Sequence, residues 1–120
     1  MPNKILVIDD EKSISNIFRL ILLKAGYDVQ VAENCEEALR LAESDSFDIA
    51  LIDIILPDGN GLELAKRMDE AGLTMPKIFI SGLSSKADEA EALKRGCTYL
   101  LKPVHPFTLL EVIEDNLKNK

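Results

Sequence analysis

At 120 residues the chain is sized for one domain with a real core, and its 47% apolar and 29% charged residues are those of an ordinary soluble globular protein. A net charge of −7 argues against binding of a phosphate backbone by this domain itself. No apolar run nears the roughly 18 residues of a membrane span, and the four apolar residues after Met1-Pro2-Asn3-Lys4 are too few for a secretory signal, so no membrane is expected and the default compartment is the cytoplasm.

Ile5-Leu6-Val7-Ile8 reads as a strand buried on both faces, and it ends in the acidic cluster Asp9-Asp10-Glu11. A helix follows, with Ile14, Ile17, Phe18 and Ile21 at the i, i+3, i+4 and i+7 positions of one face, and it stops at Ala25-Gly26. Asp28 to Ala32 alternates polar and apolar, as an edge strand does. Asn34 with Glu37 resembles a capping box and opens a second helix running to about Ser44. Cys35 shares that helix's face with Ala38, Leu39 and Ala42, which makes it core; neither it nor Cys97 has metal or redox spacing around it.

The third strand, Ile49 to Ile52, is a continuous apolar run that ends in a carboxylate, Asp53. Pro57, Gly59 and Gly61 break the chain into a loop directly after it. A third helix spans Gly61 to Ala71, with Leu64, Ala65 and Met68 inward. Lys77 to Ser81 is a fourth strand. Ser85 with Asp88 caps a fourth helix, up to Arg95-Gly96, whose thin apolar face is Ala87, Ala90 and Leu93. At roughly 25 cal/mol per Å² of apolar area, so little burial anchors a helix weakly. Thr98 to Leu101 is a short fifth strand ending in Lys102-Pro103. Pro106 stands at the first position of a fifth helix, which buries Leu109, Leu110, Ile113 and Leu117.

Strict βα alternation implies a parallel sheet with helices on both faces and right-handed crossovers. The expected architecture is a flavodoxin-like, doubly wound (βα)5 fold over residues 1–120, strand order 2-1-3-4-5. In that order Asp9, Asp10, Asp53, Ser81 and Lys102 all end their strands at one crevice, the switch point where such sheets bind ligands. Three converging carboxylates repel one another and raise each other's pKa. A divalent cation removes the conflict, and an all-oxygen set without His or Cys suits Mg²⁺. A metal and the Lys102 ammonium flanking a carboxylate would hold a phosphoryl group in transfer to it, with the Ser81 hydroxyl donating to a phosphoryl oxygen. Taken singly, each residue has a plainer reading: Asp9 or Asp10 as a helix cap, Asp53 as a turn residue, Ser81 as a turn hydroxyl, Lys102 as a solvated charge. The lone histidine, His105, reads as a surface loop residue.

Four segments, Ile5-Leu6-Val7-Ile8-Asp9-Asp10-Glu11, Asp53-Ile54-Ile55-Leu56-Pro57-Asp58-Gly59-Asn60-Gly61, Ile80-Ser81-Gly82 and Tyr99-Leu100-Leu101-Lys102-Pro103, together resemble the response-regulator receiver domain of two-component signalling. The resemblance covers essentially the whole chain. It implies that Asp53 is the phosphoacceptor. Asp10, Asp53 and the backbone carbonyl of Ile55 would bind Mg²⁺, with Asp9 assisting largely through water. Ser81 and Lys102 would bind phosphoryl oxygens, Tyr99 would be the switch aromatic, and the Lys102-Pro103 peptide would be cis. The donor would be a phosphohistidine on a sensor histidine kinase or histidine phosphotransfer protein. Output would leave through helix four, strand five and helix five toward a downstream effector domain or protein, and phosphorylation-dependent homodimers form through the same face in many receivers. Asn60 stands where an aspartate or serine is common, outside the pocket. Ile55 and Leu83, each two residues past a pocket residue, are apolar and cannot orient a hydrolytic water, which predicts a long-lived phosphoryl state.

Three other readings compete with this one. A Mg²⁺-dependent aspartyl phosphohydrolase would carry a second Asp where Ile55 stands, as its proton carrier. A flavin-binding module would need a Gly/Ser/Thr-rich phosphate loop in place of Asp9-Asp10-Glu11. A degenerate receiver would act as a phosphorylation-independent interaction module, which the intact pocket set disfavours. Lys118-Asn119-Lys120 closes the chain past helix five with no output domain, as in a stand-alone receiver or one separated from its effector.

Overall fold

A computed structural model describes residues 2–82 and 85–118. In chain order the elements are β1 (Lys4–Ile8), α1 (Lys12–Lys24), β2 (Asp28–Ala32), α2 (Cys35–Ser44), β3 (Ile49–Asp53), β4 (Ile55–Leu56), β5 (Gly59–Asn60), α3 (Gly61–Glu70), β6 (Lys77–Ser81), α4 (Lys86–Lys94), β7 (Thr98–Leu101) and α5 (Pro106–Lys118). The main sheet has five parallel strands in the order β2-β1-β3-β6-β7, the doubly wound order expected from the alternation. The stretch after Asp53, expected as plain loop, holds a two-residue antiparallel ladder: β4 pairs with β5, Ile55 opposite Asn60 and Leu56 opposite Gly59.

Because side chains alternate along a strand, each central strand feeds two cores. Leu6, Ile8, Ala50, Ile52 and Phe79 face α2 and α3, together with Ala92 of α4. Ile5, Val7, Ile49, Leu51, Ile78 and Ile80 face Phe18 and Leu22 of α1 and Leu109 and Ile113 of α5. Every residue of β3 and of β6 is buried, whereas the edge strands β2 and β7 are mostly half-buried. That ranking follows position in the sheet: β3 and β6 have neighbours on both sides, and β7, though as apolar as β6, lies at an edge.

Local signals hold the helices in place. Asn34 Oδ1 accepts from the Glu37 N–H at 2.8 Å, and the Glu37 carboxylate reaches back to the Glu33 N–H, also at 2.8 Å, so the capping box closes one residue early. Ser85 Oγ accepts from the Asp88 N–H at 3.2 Å. Gly26, past the end of α1, has φ +94°, a conformation that side chains resist. Cys35 is buried, as its helical face implied.

Two helix faces differ from expectation. In α1 the buried residues are Ser15, Phe18 and Leu22, while Ile17 is 56% exposed. Apolar residues occupy so many positions of α1 that more than one stripe fits; the sheet selects the stripe through Phe18 and Leu22, and Ile17 lies about 100° around the helix from Phe18. In α4, Ala87, Ala90 and Leu93 point outward, Leu93 being 60% exposed, and the buried residue is Ala92. Polar contacts set that orientation. Arg95 Nη1 donates to the Leu62 carbonyl at 2.8 Å and Nε to Glu91 at 3.1 Å, tying the end of α4 to the start of α3. The burial is as thin as the sequence implied, on a different face.

Candidate functional site

The site is assembled by strand register. Ile8 pairs with Ile52, Asp53 with Ile80, and Ser81 with Leu101. The first residue past β1 and the last of β3 therefore stand level, beside the ends of β6 and β7. Backbone bonds carry the ladders one step further: the Asp9 N–H donates to the Ala32 carbonyl at 3.0 Å, and the Lys102 N–H to the Ser81 carbonyl at 2.8 Å. Gly61 closes the floor. Its N–H donates to the Ile54 carbonyl at 2.7 Å, and a Cβ at that position would run into the Asp53 carbonyl oxygen and the Ile52 side chain.

The Asp9, Asp10, Asp53 and Lys102 side chains meet as the fold class implied, and Ser81 ends β6 beside them. Lys102 Nζ lies 2.9 Å from Asp9 Oδ2, 3.2 Å from Asp53 Oδ2 and 3.3 Å from Glu11 Oε1. Asp53 Oδ1 accepts from the Ile55 N–H at 3.2 Å, and Asp9 Oδ1 from the Glu11 N–H at 2.9 Å. Asp9, Asp53 and Ser81 are buried, and Asp10 is exposed at the rim. One carboxylate oxygen from each of Asp9, Asp10 and Asp53 lies within 4.8 Å of the others, the one such group among the described residues. Three carboxylate oxygens this close suit a hard cation of the Mg²⁺ class, which needs few protein ligands and keeps part of its water.

The electrostatics follow from burial against charge. Burial raises the Asp53 carboxyl above the usual carboxylate value; the neighbouring Asp9 charge adds to this, and Lys102 opposes both. For Lys102, burial pulls the ammonium down, but the contacts with Asp9 and Asp53 together outweigh it, so it stands above the ordinary lysine value.

Tyr99 is half-buried on β7, paired in register with Phe79 and packed against the same core as Ala92. The Lys102-Pro103 peptide is cis. His105 is exposed and stacks on Phe107, with ring centroids 5.5 Å apart. Leu83 lies outside the described residues. Sequence reasoning missed three contributions. Glu11 stands in the acidic cluster without a role legible from the sequence, yet its carboxylate reaches Lys102. Asp58 turns out to accept from the first N–H groups of α2, Cys35 at 2.8 Å and Glu36 at 3.1 Å. Asn60 caps α3 by accepting from the Leu62 N–H at 2.7 Å, and an Asn directly ahead of a helix start was the available signal.

A doubly wound sheet with an acidic group and a lysine at its carboxyl edge defines the class. The sequence model of the family "response regulator receiver domain" matches residues 5–114. Among curated proteins, the chain is 36% identical over 107 residues to the alkaline phosphatase synthesis transcriptional regulatory protein PhoP of Bacillus subtilis, covering 88% of this chain and 45% of that protein. It is 33% identical over 113 residues to the transcriptional regulatory protein TrcR of Mycobacterium tuberculosis, covering 93% of this chain and 43% of that protein. The chain thus spans less than half the length of these relatives. Among solved structures, a CheY-like receiver domain protein from Methanospirillum hungatei superposes with a TM-score of 0.93 at 35% identity, covering 99% of this chain and 96% of that one. A response regulator from Burkholderia pseudomallei, solved with a phosphorylated aspartic acid, calcium ion and citrate, superposes with a TM-score of 0.84 at 30% identity, covering 98% of this chain and 69% of that one. This chain belongs to the response regulator receiver domain family, the signalling domains of two-component systems.

Proposed function

We propose that this domain accepts a phosphoryl group on Asp53 from a phosphohistidine of a sensor histidine kinase or histidine phosphotransfer protein. The observation that carries the reading is the Lys102 ammonium held between Asp9 and Asp53, 2.9 and 3.2 Å away, beside the three-carboxylate group. An Asp53 oxygen forms the new O–P bond as the donor's P–N bond breaks and the imidazole keeps the electron pair. Lys102 and the Ser81 hydroxyl take phosphoryl oxygens; little covalent help is needed, because this transfer is mostly positioning and charge neutralisation. Asp10, Asp53 and the Ile55 carbonyl would hold Mg²⁺, with Asp9 acting through water, and the ion supplies the charge neutralisation that the crowded carboxylates lack. The Burkholderia pseudomallei neighbour was solved with a phosphorylated aspartic acid and a calcium ion, which supports an aspartyl acceptor and a divalent cation for this kind of domain.

The new dianion pulls on Ser81, and Tyr99 turns inward behind it. The signal leaves through α4, β7 and α5, where the outward Leu93, Leu101 and Phe107 offer an apolar surface for an effector or a second phosphorylated copy. The longer transcriptional regulators among the relatives make a transcription-controlling output the natural one. Transfer from a sensor kinase or phosphotransfer protein sets the domain in the cytoplasm. Separately, no helix among the described residues is long and apolar enough to cross a membrane. It is a phosphoacceptor rather than a turnover enzyme, since Ile55 offers no proton carrier.

The test is incubation with acetyl phosphate and Mg²⁺, read by intact mass. One added phosphoryl group, absent in Asp53→Asn and without Mg²⁺, is expected. Unmodified wild-type protein would instead support the phosphorylation-independent interaction module.

A further inference from the structure

Lys102 has three N–H bonds to give, and three carboxylates already stand around it, those of Asp9, Asp53 and Glu11, at 2.9, 3.2 and 3.3 Å. A phosphoryl oxygen reaches that ammonium only as one of them withdraws. Asp9 is poorly placed to leave: it is buried, and its other oxygen holds the Glu11 N–H at 2.9 Å. Asp53 is the acceptor itself. Glu11 differs from both. Its side chain is 56% exposed, and it lines the mouth of the cleft that also holds Asp10, Asp53, Ile55 and Gly82. It can swing into water and lose little.

We propose that Glu11 is an internal competitor for Lys102: its carboxylate occupies the donor that an incoming phosphoryl oxygen needs, and so sets how readily an anionic phosphodonor reaches Asp53. Glu11 acts on the reaction through Lys102 and exchanges no proton with the donor. In the small-donor reaction the Asp53 O–P bond forms while the P–O bond of acetyl phosphate breaks and acetate leaves with the electron pair; Glu11 must have moved aside before that geometry exists. The inference rests on Asp53 being the phosphoacceptor. It goes further in assigning a rate-modulating electrostatic role to a side chain outside the ligand set.

The substitution Glu11→Gln removes the charge and leaves the fold's use of this residue intact, because the start of α1 relies on the Glu11 backbone carbonyl, which accepts from the Ile14 and Ser15 N–H groups at 3.1 and 3.0 Å. Second-order rate constants for phosphorylation are compared in wild type and E11Q at saturating Mg²⁺, with doubly charged acetyl phosphate and singly charged phosphoramidate, at low and high salt. The expected result is an acceleration of about two- to fivefold with acetyl phosphate, the span of an exposed ion pair, a smaller gain with phosphoramidate, and loss of the difference at high salt. An unchanged or slower E11Q overturns the proposal, as does an equal gain for both donors that salt does not touch, since that would mark a change in packing. Wild type that neither donor phosphorylates removes the acceptor assignment and this inference with it.

Discussion

The Asp58 carboxylate accepts a 2.8 Å hydrogen bond from the backbone N–H of Cys35, and a second, at 3.1 Å, from Glu36. The loop that follows Asp53 is thereby pinned to the N-terminus of α2, where orphan N–H groups and the helix dipole favour an anion. The Cys35 N–H bond is the main reason the Asp58 carboxyl lies below the usual carboxylate value, and the Glu36 N–H adds to it. A folded-state value below the unfolded one means stability that is present above the unfolded value and lost as pH falls through the folded one. Asp58→Ala is expected to lower the melting temperature at neutral pH, and the gap to wild type should close as pH drops below about 4. Thermal melts across pH check this; a gap that persists in acid would put the effect in packing instead.

Asp53 predicts the opposite sign. Burial first, and then the Asp9 charge, raises its carboxyl above the ordinary value, so the folded state holds this proton more tightly than the unfolded state. The ionised form is therefore a destabilising burden that grows as pH rises from the unfolded value through the folded one. Asp53→Asn is expected to melt higher than wild type at neutral pH, with the difference shrinking on acidification. Mg²⁺ should raise the wild-type melting temperature and leave that of the Asn variant almost unmoved, because a ligand stabilises only the fold that binds it. Equal Mg²⁺ shifts in both proteins would place the ion elsewhere.

At the opposite end of the sheet, Lys77 is 4% exposed and fully satisfied. Its ammonium donates to Asp69 Oδ1 at 2.7 Å and to the Leu73 and Met75 carbonyls at 3.0 Å each. Lys77→Ala would leave those two carbonyls without their donor, at a cost of about 2–4 kcal/mol in urea unfolding. The phosphorylation rate of the folded fraction should not change, since this cluster lies at the amino end of β6 and the site at the carboxyl end. A variant that keeps wild-type stability would mean water replaces the ammonium there.

Strand order and the meeting of Asp9, Asp10, Asp53 and Lys102 were legible because strand ends are marked by short-range pattern. Apolar runs marked β1, β3 and β6, and each run stopped at a residue, Asp9, Asp53 or Ser81, whose chemistry fitted the carboxyl edge of a parallel sheet. What stayed hidden was long-range polar contact and helix rotation. Nothing near Asp58 in sequence announces that it caps a helix beginning 23 residues earlier. Glu11 was visible as one of three acids, but its reach to Lys102, 91 residues away, depends on the register of four strands. For α4, periodicity named Ala87, Ala90 and Leu93, whereas Arg95 and Ala92 decide the orientation through contacts made with α3 and the sheet.

The lifetime of a phosphoryl group on Asp53 would depend on the residues that flank the approach of water. Ile55 stands two residues past Asp53, and its side chain is exposed at the mouth of the cleft beside Leu56 and Pro57. Hydrolysis of an acyl phosphate needs a water aligned behind the phosphorus, and a branched hydrocarbon neither donates to that water nor accepts from it. Ile55→Asn supplies both functions at the same place, and Leu83→Glu supplies an acceptor at the corresponding position after Ser81. Each variant is expected to shorten the lifetime of the phosphorylated protein by about tenfold, less than the roughly hundredfold or more of a full general base, because the new group mainly orients the water. The measurement is decay of the phosphorylated mass after the donor is removed. Wild-type decay in both variants would show that access of water, rather than its orientation, limits the reaction.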